Sequence, residues 1–260
     1  MSVPIHLEVD SQGIATLTVH RPEVRNALDR ASMRALRDVV TRLEEIPDLR
    51  AVIVSGADGT FISGGDLNDL HDDGTETAGL DQHDLMVGTL DRLAALPVPV
   101  IAAIEGAARG GGCEVALACD LRILAEDATL AFAQVNMAVT PGWGGAGRLF
   151  RLVGYSRAMD LLLTGRVIGG EEAVVLGLAN YLCPSGRALH MAHMLAEGLA
   201  DGPTLAVQGI KSVLRGYLAK PGEAARAHER STFGRLWASS DHAEASAAFM
   251  EKRSPDFRGE

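Results

Sequence analysis

Two short apolar segments of this 260-residue chain are each followed by a glycine-rich turn. Residues Ala51–Ser55 precede the first turn, and Val98–Ile104 precede the second about 50 residues later. Uninterrupted apolar runs of this length are typical of strands that are buried on both faces of a sheet. A strand–turn–helix unit that recurs at such an interval predicts an α/β fold.

The remaining patterns predict further strands and helices around these two units. Residues Ile5–Val9 and Ile14–Val19 alternate apolar and polar side chains around a Ser-Gln-Gly sequence, which predicts a β-hairpin. Asp29 precedes apolar residues at helical spacing and predicts the start of a helix. Two more strands are expected at Leu121–Ala125 and Thr129–Ala133. Two more helices are expected at His83–Leu96 and Glu114–Cys119, and a mobile polar loop at Asp69–Thr77.

Helical patterns dominate the C-terminal part of the chain, from Met191 onwards. Pro203 and Pro221 interrupt these patterns and separate two long predicted helices. We therefore expect an α/β core over residues 1–200 and a helical region over residues 201–260.

Charge and composition exclude several classes of protein. The chain carries 24 Lys and Arg against 34 Asp and Glu, a formal net charge of −10, whereas a nucleic-acid-binding protein needs a basic face. No apolar run approaches the ~18 residues of a membrane span. The three cysteines are odd in number and lack C-x-x-C spacing, so neither a disulfide framework nor a zinc site is expected. Met1–His20 lacks the pattern of a signal peptide, and we therefore expect a cytoplasmic protein.

Two glycine clusters carry the strongest functional signal. The first is Phe61–Leu67 and the second is Gly106–Glu114, and each follows a predicted buried strand. Glycine allows a ligand to approach the backbone closely, and two N–H groups that converge on one oxygen form an oxyanion hole. Neither cluster fits a P-loop or a good dinucleotide fingerprint. Tight turns without a ligand remain the alternative for either cluster taken alone.

Four successive motifs resemble a known family when they are taken together. The sequences FISGGDL, PVIAAIEGAARGGGCEVALACDLRI, AFAQVNMAVTPGWGGAGRL and AAFMEKRSPDF resemble, in order and spacing, the signatures of the crotonase superfamily (the enoyl-CoA hydratase/isomerase family). The resemblance runs from Ile5 to Phe257. It implies an α/β, crotonase-like spiral of repeated ββα units that binds acyl-CoA. It also implies a C-terminal helical trimerisation region, and therefore a homotrimer or a dimer of trimers.

The same resemblance implies an acyl-CoA thioester substrate, no metal and no separate cofactor, since coenzyme A enters as part of the substrate. The backbone N–H groups of Gly65 and Gly111 correspond to the two oxyanion donors of the family. Glu114 corresponds to the first catalytic glutamate. Asn136 stands where the hydratases carry a second glutamate, and an asparagine can orient water but cannot exchange a proton.

Further residues match the parts of the family that contact the substrate. The expected substrate and CoA contacts are Val24, Asn26, Ala27, Ser63, Gly65, Asp66, Leu67, Asn68, Gly111 and Trp143. The family often has a lysine at position 68, so Arg25 or Lys252 is a candidate for the CoA phosphates instead. Trp143 replaces a small residue of the family, and either trims the acyl pocket or packs in the core.

The sequence leaves the reaction open. Hydration of a 2-enoyl-CoA, the first hypothesis, would use Glu114 to activate water. Isomerisation needs one carboxylate to shuttle a proton, and decarboxylation of a malonyl-type acyl-CoA depends least on a second glutamate. A non-catalytic acyl-CoA-binding oligomer is the alternative of another class, and the presence of Glu114 argues against it.

Overall fold

A computed structural model describes residues 3–70 and 74–260 of the chain, and it has the predicted α/β architecture. The expected hairpin is confirmed, because strand β1 (Ile5–Val9) pairs antiparallel with β2 (Ile14–Val19). Four parallel strands extend this hairpin into a six-stranded sheet with the order β1-β2-β3-β4-β6-β9. The added strands are β3 (Ala51–Gly56), β4 (Val100–Ile104), β6 (Leu121–Ala125) and β9 (Tyr181–Cys183).

A second, three-stranded sheet lies next to the glycine turns. Its strands have the order β5-β7-β8, with β5 (Ala107–Arg109) parallel to β7 (Thr129–Ala131) and antiparallel pairing of β7 with β8 (Ile168–Gly169). Strand β5 follows β4 after a turn at Gly106, where φ is +56°. Only glycine adopts that conformation readily, so the chain leaves the large sheet at this point and enters the small one.

Helices cover both sheets and form the C-terminal region. They are α1 (Arg30–Glu44), α2 (Leu67–Leu70), α3 (Glu76–Ala95), α4 (Gly111–Ala118), α5 (Gly145–Val153), α6 (Tyr155–Thr164), α7 (Gly170–Val175), α8 (Ala188–Ala200), α9 (Thr204–Ala219), α10 (Gly222–Trp237) and α11 (Ser240–Glu251), with 3-10 helices at Pro22–Val24 and Ala133–Met137. No helix among residues 3–70 and 74–260 has the length and apolar character needed to cross a bilayer. Helix α8 ends at Ala200, and the proposed division at residue 200 stays a prediction.

The two faces of the large sheet are buried in different ways. One face packs against α1, α3 and α4, where the large side chains of Met33, Leu36 and Leu90 form the main core. The other face packs against α8, which presents the small residues Ala188 and Ala192. Burial on both faces explains why the strands are nearly continuous apolar runs.

Three element boundaries differ from the sequence-based expectations. Helix α3 begins at Glu76, inside the expected loop Asp69–Thr77, because the side chain of Thr75 accepts a hydrogen bond from Ala78 N and caps the helix. Residues 71–73 of that loop lie outside the described residues. Helix α4 begins at Gly111 rather than at Glu114, and β7 ends at Ala131, where the 3-10 helix follows shortly after.

Candidate active site

The two glycine turns lie against each other. Ile62 forms an isolated parallel bridge with Ala108, and Arg109 N donates to Ile62 O over 3.1 Å. A methyl group on Gly64 would lie 3.0 Å from Arg109 O and 3.3 Å from Gly111 N. The turn after β3 and the turn after β5 therefore meet at residues 62–65 and 108–111.

Two backbone N–H groups are left unpaired where the turns meet. Gly65 and Gly111 have no hydrogen-bond acceptor for their N–H groups among residues 3–70 and 74–260. Gly111 is the first residue of α4, and the first N–H groups of a helix have no partner inside it and carry its positive dipole end. Both glycines line one cavity, so the two candidate oxyanion donors share a space.

The consecutive glycines before Glu114 meet different steric requirements. Gly110 has φ +49°, a left-handed conformation that starts α4. A methyl group on Gly112 would lie 1.8 Å from Ile62 O, so only glycine allows the backbones to approach. The GGG motif therefore brings the start of α4 into contact with the first turn.

The shared cavity has a volume of about 460 Å³. Its described lining includes Gly65, Gly111, Glu114 and the indole of Trp143, and Glu114 is the carboxylate among these lining residues. A second cavity of about 620 Å³ adjoins it. Both are lined by Ser63, Gly65, Leu67 and Arg109. The two spaces together form a groove that passes the unpaired N–H groups.

Glu114 is 1% exposed, and its carboxylate accepts four hydrogen bonds. Its Oε2 accepts from Trp143 N at 2.8 Å and from Gly145 N at 2.7 Å, at the start of α5. Its Oε1 accepts from Gln134 Nε2 at 3.0 Å and from Gly142 N at 3.2 Å. Four donors match the acceptor capacity of an ionised carboxylate.

The arrangement fixes the orientation of this carboxylate. A methyl group on Gly145 would lie 2.4 Å from Glu114 Cγ, so the side chain packs directly on the start of α5. The shorter pair of bonds anchors Oε2, whereas the longer pair holds Oε1. A water molecule can therefore reach Oε1 most easily by replacing the 3.2 Å contact with Gly142 N.

Trp143 closes the space over the second turn. It is buried, and a methyl group on Gly111 would lie 2.2 Å from its Cζ3 atom. Its Cζ2 atom lies 3.9 Å from the corresponding position on Gly65. The indole thus belongs to the hydrophobic core and lines the cavity, which joins the two roles that the sequence left as alternatives.

Asn136 does not belong to the described lining of the cavity. It is exposed, and its side chain lies near Gly165 rather than among the described residues that line the cavity. The cause is the 3-10 helix Ala133–Met137, in which residues three apart share a side. Gln134 and Met137 both line the cavity, so Asn136 points away from it. A catalytic role for Asn136 stays a prediction without a contact in this structure.

Seven of the ten residues matched to substrate and CoA contacts line the adjoining cavity: Val24, Ala27, Ser63, Gly65, Asp66, Leu67 and Asn68. Gly111 and Trp143 line the first cavity instead. Arg25 also lines the adjoining cavity, whereas Lys252 ends α11 and is exposed. Asn26 is fully buried and does not belong to the described lining.

The side chain of Asn26 holds the loop that carries these contacts. Its Oδ1 accepts from Arg21 N at 2.9 Å, and its Nδ2 donates to Ala57 O at 2.9 Å and to Thr60 O at 2.7 Å. Its φ is +58°. Asn26 therefore positions the loop from inside.

Replacing Asn26 with alanine removes three hydrogen bonds of a fully buried side chain. Arg21 N and Thr60 O lose these partners, whereas Ala57 O still accepts from Thr60 N. We expect the free energy of unfolding to fall by about 3 kcal/mol. Chemical denaturation measures the change. The control is Arg25→Ala, an exposed neighbour that also has a left-handed conformation, and it should change the free energy of unfolding by less than about 1 kcal/mol. Equal losses in both variants would contradict this role of Asn26.

Cys113 lies next to Glu114 in the chain but is not an accessible nucleophile. Burial raises the pKa of its thiol to about 12. Its Sγ lies 3.2 Å from Ala108 O, within hydrogen-bond distance. A thiol in such surroundings is inert and serves as a small core residue.

Several cavity residues were missed by the sequence analysis. Gln134, Leu70, Gln82 and His83 line the cavity, and none was singled out from the sequence. Gln134 precedes Asn136 by two residues in a motif that was already recognised, and its place in that motif was the available signal. No sequence pattern indicated that helix α3 would lie over the cavity.

A larger cavity of about 730 Å³ lies between α9 and α10. Its lining includes Lys211 and Arg215, but Gly65, Gly111 and Glu114 do not reach it. The smaller cavity holds the candidate chemistry, so size does not identify the site here.

Comparisons with known proteins agree with this fold. The family model described as enoyl-CoA hydratase/isomerase matches residues 10–260. The short-chain-enoyl-CoA hydratase of Clostridium acetobutylicum is 33% identical over 92% of each chain. The ethylmalonyl-CoA decarboxylase of Danio rerio is 37% identical over 93% of this chain and 82% of the relative. A crystal structure of an enoyl-CoA hydratase from Bacillus anthracis is 32% identical, with a TM-score of 0.92, and the match covers 99% of this chain and 100% of that one.

The fold is that of the crotonase superfamily. The chain belongs to the enoyl-CoA hydratase/isomerase family. It is accordingly an acyl-CoA enzyme, as the sequence motifs implied.

Proposed function

We propose that this enzyme adds water to a 2-enoyl-CoA, with Gly65 and Gly111 as the oxyanion donors and Glu114 as the single acid/base group. The observation that carries the proposal is one cavity lined by two unpaired N–H groups and a buried carboxylate. The thioester oxygen would accept from both N–H groups. Each such donor contributes about 3 kcal/mol to transition-state stabilisation in comparable sites.

One carboxylate is sufficient to balance the reaction. Glu114 takes a proton from water while the water oxygen bonds to C3 and the π electrons move to the thioester oxygen. The resulting enolate then takes that same proton from Glu114 at C2. The product is a 3-hydroxyacyl-CoA, and the carboxylate returns to its ionised form.

A panel of three substrates tests the reaction directly. The purified enzyme is incubated separately with a 2-enoyl-, a 3-enoyl- and a malonyl-type CoA thioester, and mass spectrometry follows the products. We expect a gain of one water from the 2-enoyl thioester. Bond migration in the 3-enoyl thioester alone, or loss of carbon dioxide from the malonyl thioester alone, would contradict hydration. Binding of all three without turnover would favour the non-catalytic alternative.

Decarboxylation of a malonyl-type acyl-CoA is the second candidate. It is favoured by the presence of only one carboxylate among the described lining residues and by the similarity to the Danio rerio decarboxylase. It needs the oxyanion donors first and a proton second. Hydration ranks first because the carboxylate of a malonyl substrate would meet the like charge of Glu114 in the same cavity.

Trp143 would limit the acyl group to a short or compact one. Replacing Trp143 with alanine opens the space beside Gly111. We expect the ratio of kcat/KM for a ten-carbon over a four-carbon 2-enoyl-CoA to rise by about tenfold. A change of this size corresponds to the binding of one or two more methylene groups in a hydrophobic pocket. Steady-state kinetics on both substrates measure the ratio. An unchanged ratio would show that the indole only packs in the core.

We also propose that no separate cofactor is needed, because an acyl-CoA substrate brings coenzyme A with it. Arg25 lies where it could meet a phosphate of CoA.

A cytoplasmic location is proposed as well, and the unpaired state of Cys113, Cys119 and Cys183 agrees with a reducing compartment.

The helical C-terminal region would form a homotrimer or a dimer of trimers. Its helices expose large apolar side chains, which a second copy of the chain could cover. These are Ile210, Leu214, Leu218, Phe233, Trp237, Phe249 and Met250. Light scattering coupled to gel filtration distinguishes a mass of three or six chains from that of one.

A further inference from the structure

Gln134 carries a buried oxygen atom that has no hydrogen-bond partner. The residue is 8% exposed and lines the cavity beside Glu114. Its Nε2 donates to Glu114 Oε1 over 3.0 Å, whereas its Oε1 is buried without a partner among the residues that the structure describes. Buried polar side-chain atoms almost always have a partner, so this one indicates a donor that arrives with the ligand.

The chemistry of Glu114 fixes which way the amide points. An ionised carboxylate only accepts hydrogen bonds, so the nitrogen of Gln134 must face it. The carbonyl oxygen is consequently the free atom. The amide nitrogen lies 3.0 Å from Glu114 Oε1, so the carbonyl oxygen of the same amide is close enough for one water to bridge the two side chains.

We propose that Gln134 holds the reacting water, the part that the second glutamate plays in the hydratase pattern. This inference rests on the proposed hydration. The water donates one proton to Gln134 Oε1 and the other to Glu114 Oε1, which leaves a lone pair of the water oxygen free to attack C3. Gln134 transfers no proton, and the proton balance stays with Glu114 alone.

The 3-10 helix explains why Gln134 rather than Asn136 takes this position. The periodicity of three residues per turn directs Gln134 and Met137 to the cavity, while Asn136 is exposed near Gly165. The water-holding group is thus shifted by two residues relative to the family motif. The shift keeps an acceptor at the site, although no second carboxylate stands there among the described lining residues.

The test separates holding water from orienting Glu114. Gln134→Met keeps the length of the side chain but removes both polar atoms. Two rates are measured on each protein: hydration of crotonyl-CoA, and exchange of the C2 protons of butyryl-CoA with deuterated water. The exchange needs the oxyanion donors and Glu114 but no water at C3. Gln208→Met, the same substitution outside the site, is the matched control.

We expect kcat for hydration to fall by about 100-fold in Gln134→Met, while the rate of C2 exchange stays within about threefold of wild type. The control should retain both rates. An equal loss of both rates would overturn the inference, because Gln134 would then act only through Glu114. Hydration within about threefold of wild type would overturn it as well. Absence of hydration in the wild-type enzyme would instead refute the proposed function.

A second variant gives a different readout. In Gln134→Glu a carboxyl group lies next to Glu114, and two adjacent carboxyls share one proton. The protonated side chain can donate to Glu114 and accept from water as the glutamine does. We expect hydration to be retained at low pH and lost as the shared proton dissociates, which adds a limb to the pH profile of kcat. A profile identical to that of wild type would contradict the assigned contact.

Discussion

Glu114→Gln is expected to lower turnover of crotonyl-CoA by about 1,000-fold, because glutamine cannot accept the proton of water or deliver one to C2. Exchange of the C2 protons of butyryl-CoA should fall by a similar factor, since it uses the same group. Stopped assays at saturating substrate measure kcat for both reactions. CoA thioester binding, followed by calorimetry, should change little, because the groove of Ser63 and Asp66 is untouched.

The Glu114→Gln variant needs controls for folding and for charge. The new amide nitrogen is a donor and can face the backbone N–H donors of Trp143 and Gly145, which would destabilise the fold. Thermal unfolding therefore tests whether the variant is folded. Glu114→Asp keeps the charge at a shorter reach and should retain more activity than glutamine does. Glu105→Gln alters a carboxylate that accepts from Gly186 N and Ala188 N near the start of α8, outside the cavity, and should retain wild-type kcat.

Full activity in a folded Glu114→Gln enzyme would mean that Glu114 is a structural clamp. Three of its four hydrogen bonds join α4 to residues at or just before the start of α5, and the fourth joins it to Gln134 in the 3-10 helix, so this alternative has a physical basis. Turnover by the folded variant therefore distinguishes a catalytic from a structural role of Glu114, and stability is measured separately.

Gly111→Ala is expected to reduce kcat/KM by about 100-fold and the free energy of unfolding by about 2 kcal/mol. The new methyl group would lie 2.2 Å from the buried indole of Trp143, so the ring or the start of α4 must move. Movement of α4 displaces the Gly111 N–H from its place opposite Gly65. Kinetics with crotonyl-CoA and chemical denaturation measure the two effects.

Gly111→Ala should cost about 2 kcal/mol of unfolding free energy in the wild-type background but much less in a Trp143→Ala background, because removal of the indole opens space for the methyl group. The control is Gly147→Ala in α5, where a methyl group meets nothing within 4 Å and alanine favours the helix. An equal cost of Gly111→Ala in both backgrounds would show that the indole is not the obstacle.

The sequence predicted the parts of the site that depend on local pattern. The hairpin, the buried strands and the two glycine turns follow from apolar periodicity and from the backbone freedom of glycine. Glu114 was identified by its place after GGGC. These features need no knowledge of how distant segments meet.

The hydrogen bonds around Glu114 could not be predicted in this way. They join it to residues 20 to 31 positions later in the chain, from Gln134 to Gly145, and depend on how the intervening loop returns to α4. The direction of Asn136 likewise depends on a short 3-10 helix, which sequence periodicity did not reveal. Buried Asn26 was matched to a CoA contact because its motif position says nothing about which way its side chain turns.

A crystal structure of the enzyme with bound butyryl-CoA would show whether the two N–H groups bind the thioester. We expect the thioester oxygen to lie about 3 Å from both Gly65 N and Gly111 N, with C2 facing the Glu114 carboxylate. A thioester oxygen that contacts neither N–H group, or an acyl chain bound outside the cavity between the two turns, would contradict this expectation.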